Sequence, residues 1–198
     1  MSFTLETCEK LAQILLTISW VVFAAAFIFR RRPEVSQDRK RDSNSLVGVI
    51  LQGLGFAIVM GMRRHSYSPI IPVAPAISIA ISIIAVAIAI GSVLLVVKAV
   101  RTLGKEWSVT ARVVEGHKLA TEGPYSLTRN PIYTGMLGML IATGVISSYG
   151  TSLLLAIGIF LVGTLVRVRS EERLLRDAFG AEFDAYKRRV PALIPGLF

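Results

Sequence analysis

The sequence predicts an all-α integral membrane protein with five transmembrane helices, and three observations predict it. Five long apolar runs recur along the chain: Leu11–Phe29, Ser45–Met62, Ala76–Val97, Pro131–Ile146 and Thr151–Val166. Hydrophobic residues make up 53% of the 198 positions and mean hydropathy is +0.62, more than a soluble core of this size uses. Of the 22 Lys and Arg residues, 19 fall in segments 30–44, 98–130 and 167–198, and five spans put all three segments on one side. The positive-inside rule makes that side cytoplasmic and leaves the N-terminus outside.

The same charge distribution limits what the chain does. A formal net charge of +9 would suit nucleic acid, but a basic cytoplasmic face accounts for it without any such partner. Cys8 is the only cysteine, so neither an intrachain disulfide nor a cysteine cluster can form. His65 and His117 lie far apart and outside any metal-ligand spacing, so no metal is expected.

Each element has its own reason. Leu11 to Phe29 holds no charge and is about as long as the roughly 20 residues needed to cross hydrocarbon. Ala24, Ala25 and Ala26 imitate a signal cleavage site, but the acidic start and Arg30, Arg31 and Arg32 favour a retained helix. Segment 30–44 reads as a short exposed loop or amphipathic stretch. The second run carries Gln52 among Gly48, Gly53 and Gly55, small residues that let helices approach closely; one Gln can bond across helices without any chemistry. Pro69, Pro72 and Pro75 mark a turn, and Ile70 to Pro75 reads equally as loop or as a kinked first turn. The third run is apolar all round. Residues 98–129 are long for an idle connection, which points to a functional loop. The fourth and fifth runs, separated by Ser147 to Gly150, make a helical hairpin. Leu175, Phe179, Phe183, Tyr186 and Val190 then recur at helical spacing, giving one amphipathic helix with Asp177, Glu182 and Lys187 on its polar face, ended by Pro191. A helix resting on the membrane surface is the plain expectation for it.

Two stretches carry candidate chemistry. In TEGPYSLTRNPIYTG, residues 121–135, Asn130 is a good N-cap type and Pro131 suits the first helical position, so a helix starts there with its N–H groups facing the loop, an end suited to anions. In RVRSEE, residues 167–172, Arg167 and Glu171 stand four apart on the same membrane face. Structural explanations stand beside the chemical ones. Asn130 and Pro131 can merely start a helix, and Arg167 with Glu171 and Glu172 with Arg176 can be ordinary surface ion pairs worth about 0.2 to 0.5 kcal/mol each. His117 alone reads as a loop histidine, and Tyr133 and Trp107 as interfacial anchors.

These stretches stand in register with others: GHKLA at 116–120, GPY at 123–125, RNPIY at 129–133, the pair Glu171 and Glu172, and FGAEFDAYKRRVPALIP at 179–195. In this order and spacing the chain resembles the isoprenylcysteine carboxyl methyltransferase family of membrane enzymes and its phospholipid methyltransferase relatives, over roughly residues 101–195. The resemblance implies an S-adenosyl-L-methionine pocket lined by His117, Lys118, Leu119, Ala120, Tyr125, Asn130, Pro131, Ile132 and Tyr133. It implies that Glu171 holds the cofactor beside Glu172, that Arg167 faces the methyl acceptor, and that a position near Thr110 lines the pocket. It divides the chain into membrane helices at 1–97 and a catalytic half at 98–198, with a cytoplasmic cofactor-binding loop and site. Asn130 is a departure, since the family most often has His there; this bears on any acid or base role but leaves hydrogen bonding possible.

The residues suit that chemistry. A methyl sulfonium donor needs alignment and exclusion of water more than a metal, and holding reactants in attack geometry is worth about 7 to 11 kcal/mol. Glu171 offers an acceptor for the donor's ammonium or ribose, the helix start at Pro131 offers N–H groups to its carboxylate, and Tyr125 and Tyr133 offer ring faces and hydroxyls. The expected function is methyl transfer to a lipid-borne carboxylate, with a phospholipid amine as the alternative acceptor. A membrane reductase of the sterol-reductase type and a non-enzymatic docking protein are the other classes. The expected partners are a lipid or prenylated acceptor and the surrounding membrane lipids.

Overall fold

The computed structural model describes residues 2–28, 38–41, 44–64, 70–71, 73–104, 112–114 and 119–194. Among them are six α-helices: α1 (Ser2–Ile28), α2 (Asn44–Gly61), α3 (Pro75–Leu103), α4 (Pro131–Ser147), α5 (Gly150–Phe179) and α6 (Ala181–Arg189). The all-helical expectation needs one addition. Asp38–Arg41 (β1) pairs antiparallel with Arg112–Val114 (β2), so two segments read as loops join in a small ribbon. Trp107, Thr110, His65, His117 and Lys118 lie outside the described residues.

Three helices, α1, α3 and α5, are long and apolar enough to cross a membrane. The other two apolar helices, α2 and α4, have 18 and 17 residues. At helical rise they reach about 26 Å, short of the roughly 30 Å hydrocarbon core. Leu15, Val21, Ile83, Ile84, Leu154 and Leu155 are exposed, apolar surface suited to lipid and ill suited to water.

The bundle is built from two helix pairs, α2 on α5 and α1 on α3, with α4 packed against α3, α5, α2 and α1. Val96, Val100, Met139, Ala142 and Phe23 fill the core between α1, α3 and α4; Val59, Leu140, Ala156 and Phe160 fill that between α2, α4 and α5. Edge-on aromatic contacts link the two cores, Trp20 to Phe56 and Phe56 to Phe160. The indole N–H of Trp20 donates to Thr143 Oγ1 at 3.1 Å and ties α1 to α4. At the end away from Arg167, Arg64 donates to the Val145 carbonyl at 2.6 Å and Ser148 Oγ to that of Met62 at 2.9 Å. The buried Glu9 there accepts from Ser78 and Ser82 at 3.0 and 3.1 Å.

Close helix contact is decisive where α2 crosses α5. A Cβ on Gly48 would lie 2.3 Å from Arg167 Cγ and 2.6 Å from the Gly163 carbonyl, and a Cβ on Gly163 2.7 Å from Leu51 Cβ. Only hydrogen fits on both sides, which is how small residues bring membrane helices together.

Element boundaries depart from the sequence reading in three places. Helix α3 begins at Pro75, so Ile70 and Ile71 belong to the preceding turn, and it runs on to Leu103. Helix α5 does not stop at Val166 but continues unbroken to Phe179, carrying Arg167 to Arg176 as extra turns. The single amphipathic helix expected over Leu175–Val190 is two. Gly180, at φ +50°, breaks it, leaving Leu175 and Phe179 on α5 and Phe183 and Tyr186 on α6. Nor does its apolar face rest on lipid. Phe183, Tyr186 and Val190 are buried against Leu119, Leu175 and Phe179, because the turn folds α6 back onto the loop.

Candidate active site

The site is assembled where the start of α4, the extended part of α5 and the N-terminal half of α2 meet. Tyr133, one turn into α4, is buried, and its hydroxyl donates to Glu171 Oε1 on α5. Four residues earlier on α5, buried Arg167 reaches the same oxygen through Nη2 at 3.4 Å. Its guanidinium carbon stands 4.8 Å from the Tyr133 ring centroid, within cation–π range. The third partner comes from α2: Arg167 Nη1 donates to Gln52 Oε1 at 3.2 Å. The helical ion pair anticipated between Arg167 and Glu171 is present, with Arg167 buried and Glu171 a quarter exposed, and it is shared with a tyrosine and a glutamine.

The adjacent carboxylate faces elsewhere. Successive helical residues differ by about 100° in direction, and Glu172 turns toward the C-terminal tail. It does not pair with Arg176, as spacing suggested. Arg129 Nη2 and Nε donate to Glu172 Oε1 at 2.7 and 3.1 Å, Lys187 Nζ meets Oε2 at 2.5 Å, and Arg176 pairs with Asp184 instead.

Around Arg129 the tail is stitched to the start of α4. Arg129 Nη1 donates to the carbonyls of Lys187 and Val190, and its backbone N–H to that of Pro191 at 2.8 Å. Thr128 Oγ1 and Asn130 Nδ2 donate to the Ala192 carbonyl at 3.0 and 2.9 Å, and Thr134 Oγ1 to that of Leu193 at 2.5 Å. The capping expectation for Asn130 is therefore corrected. It occupies the cap position and its carbonyl receives the Thr134 N–H, but its side chain caps nothing because the tail holds the amide. With no side-chain cap, the first N–H groups of α4 are open to another acceptor.

Gly123–Ser126 forms a short 3-10 turn holding Pro124 and Tyr125 buried. The Tyr186 hydroxyl donates to the Tyr125 carbonyl at 2.7 Å and locks α6 to this turn. Burial pushes the Tyr125 hydroxyl well above its usual range, and the negative field of Glu171 pushes it further, which puts this phenol within electrostatic reach of the carboxylate. The Tyr186 hydroxyl is pushed up to about 12, again by burial. Both remain proton donors at neutral pH.

The expected site residues thus fall into distinct groups. Arg167, Glu171 and Tyr133 come together, with Tyr125 near by. Leu119 packs on the α6 cluster, Ala120 is half-buried, and Pro131 is buried at the first position of α4. Ile132 turns away into the core of α1, α3 and α4. Glu172 and Asn130 hold the tail. Gln52 does bond across helices, as its lone polar side chain in an apolar run suggested, but sequence reasoning did not place it beside Arg167; it also missed Arg129 as the centre of the tail contacts, although Arg129 opens the RNPIY stretch.

The sequence pattern of the phospholipid methyltransferase family matches residues 80–182. The chain is similar to the cobalt-zinc-cadmium resistance protein CzcN of Cupriavidus metallidurans, 39% identical over 100 residues, 48% of this chain and 44% of that protein. It is similar to protein-S-isoprenylcysteine O-methyltransferase B of Arabidopsis thaliana, 33% identical over 107 residues, 49% of this chain and 50% of that one. Methanethiol S-methyltransferase 2 of Bradyrhizobium diazoefficiens is 34% identical over 85 residues, 43% of this chain and 32% of the relative. The matched part spans about half or less of the length of these relatives. Because the family pattern covers more than half of this sequence and includes α4 and the Arg167 to Glu172 segment, the chain belongs to the phospholipid methyltransferase family.

Proposed function

We propose that the protein is an integral membrane methyltransferase that uses S-adenosyl-L-methionine and acts on a lipid-borne carboxylate of the prenylcysteine type. The observation that carries the acceptor class is Arg167: a buried guanidinium held by Gln52, Tyr133 and Glu171 is a preformed anion clamp. The name of the plant relative supports a carboxylate acceptor, and the family pattern supports methyl transfer.

The residues present suit the cofactor. Glu171, about a quarter exposed, would accept from its ammonium or ribose. The uncapped N–H groups of α4 would receive its carboxylate, and Leu119, Ala120 and Tyr125 would form an apolar wall, with His117 and Lys118 directly before them in sequence. Bound there, the cofactor supplies an electrophilic methyl group. The chain's own part is positional. Tyr133 directs the Glu171 carboxylate, Arg167 holds an anionic acceptor, and the stitched tail shields the start of α4 from water. No side chain has to take up a proton, since a carboxylate arrives already ionised.

Binding of labelled S-adenosyl-L-methionine to the purified protein tests the reading. Glu171→Gln is expected to weaken affinity about 10-fold, the worth of one charge-assisted hydrogen bond. Glu172→Gln should leave affinity within twofold and lower thermal stability instead, because its partners are Arg129 and Lys187. Equal and negligible losses of affinity would remove Glu171 from the cofactor. A phospholipid amine is the second reading, favoured by the family description; turnover on phosphatidylethanolamine but not on a prenylcysteine analogue would establish it.

We further propose that the ends bearing Arg167 and α6 face the cytoplasm, as the charge distribution indicates. Ser148 is buried and bonded to Met62, so a cysteine there is a poor probe; Tyr149, half exposed, is the better position. In a Cys8→Ser background, an impermeant thiol reagent on intact cells should label Tyr149→Cys and not Ser126→Cys. The reverse pattern would invert the orientation.

A further inference from the structure

We infer that Gln52 is a positioning residue for Arg167, so that the anion clamp is completed from α2, outside the segment the family pattern matches; the inference rests on the acceptor reading above. Gln52 is buried in an apolar helix, where an unsatisfied amide would be costly. Both ends of the amide are used. Its Nε2 donates to the buried Thr164 Oγ1 at 2.9 Å, and this leaves Oε1 to accept from Arg167 at 3.2 Å. Thr164 thereby fixes which way the amide faces, and the amide fixes the guanidinium over the Tyr133 ring.

The backbone geometry agrees. Helices α2 and α5 touch at Gly48 and Gly163, one turn before Gln52 and one turn before Arg167, so the two helices are in tight contact beside the point where the Arg167 side chain leaves α5. The choice of an amide over an acid has a chemical consequence. A carbonyl oxygen orients the guanidinium without cancelling its charge, whereas a second carboxylate beside Glu171 would neutralise it and repel an anionic acceptor.

The test uses Gln52→Met, which keeps length and volume but removes both hydrogen bonds, with Thr164→Val as the milder companion. In full-length protein in detergent, Gln52→Met is expected to raise the KM for a prenylcysteine analogue about 10-fold and Thr164→Val about threefold. Affinity for S-adenosyl-L-methionine should stay within twofold in both. The Gln52→Met effect should vanish in an Arg167→Met background, because the amide acts through the guanidinium. Losses that simply multiply in the double variant, or an acceptor KM that does not move in either single variant, would overturn the inference. If the wild type binds no cofactor, the methyltransferase reading fails separately. A double-mutant cycle on thermal unfolding with Gln52→Met and Arg167→Met then decides: coupling supports the positioning contact, and additivity overturns it. Should Gln52→Met not fold, Thr164→Val carries the same comparisons.

Discussion

Arg167→Ala should lower turnover on a prenylcysteine analogue by about 100-fold or more, the usual consequence of removing a buried group that stabilises charge in the reaction. Cofactor affinity should change less than threefold. The two effects separate because Arg167 contacts Glu171 at only 3.4 Å, while the Tyr133 hydroxyl continues to direct that carboxylate after the guanidinium is gone. Arg167→Lys should recover little. An ammonium can reach Gln52 or Glu171 but cannot offer a parallel pair of N–H groups to a carboxylate while lying flat over Tyr133. Calorimetry with S-adenosyl-L-methionine beside steady-state turnover checks this. Unchanged turnover in Arg167→Ala would leave the residue as a helix-packing cation and move the enzyme toward amine acceptors, which gain nothing from a neighbouring positive charge.

Arg129→Met should be the most destabilising substitution at the start of α4, at about 3 kcal/mol, the scale for removing one partner of a buried ion pair. The Arg129 side chain is 9% exposed and that of Glu172 15%, so solvent screens the pair little. Its loss would leave Glu172 with Lys187 alone and free the carbonyls of Lys187 and Val190. Thermal unfolding in detergent and limited proteolysis after residue 189 should both respond, with the tail released before the bundle melts. Removing the exposed Arg176–Asp184 pair, whose side chains are 56% and 39% exposed, should cost less than about 1 kcal/mol. Equal costs at the two pairs would mean that Arg129 is no anchor.

Apolar runs were legible because lipid as solvent imposes length and composition directly, and the five of them coincide with helices even though only three are long enough to cross on their own. The site core was legible for a related reason: Tyr133, Arg167 and Glu171 stood in ordered motifs at the ends of those runs. The rest depends on chain reversal, to which local patterns are blind. A 3.6-residue periodicity through Leu175 to Val190 looks the same whether or not Gly180 turns the chain back, so one surface helix was expected where two pieces pack on Leu119. Likewise Glu172 and Arg176 have ideal spacing, yet folding brings Arg129 and Lys187 closer in a less hydrated setting, and the non-local partners win. Gln52 was visible as an oddity, but its meaning required knowing that α2 lies on α5.

The unbroken course of α5 makes the helix a depth gauge. The exposed Leu154 and Leu155 and the side chain of Arg167 share one continuous helix, so on the proposed reading the acceptor clamp would stand about 20 Å along the axis from those leucines. Wherever the bilayer seats the leucines, the guanidinium follows, at a height set by membrane thickness and tilt. On that reading a lipid-borne carboxylate level with that height would meet Arg167 without leaving the membrane, whereas one held higher or lower would have to stretch or sink to meet it.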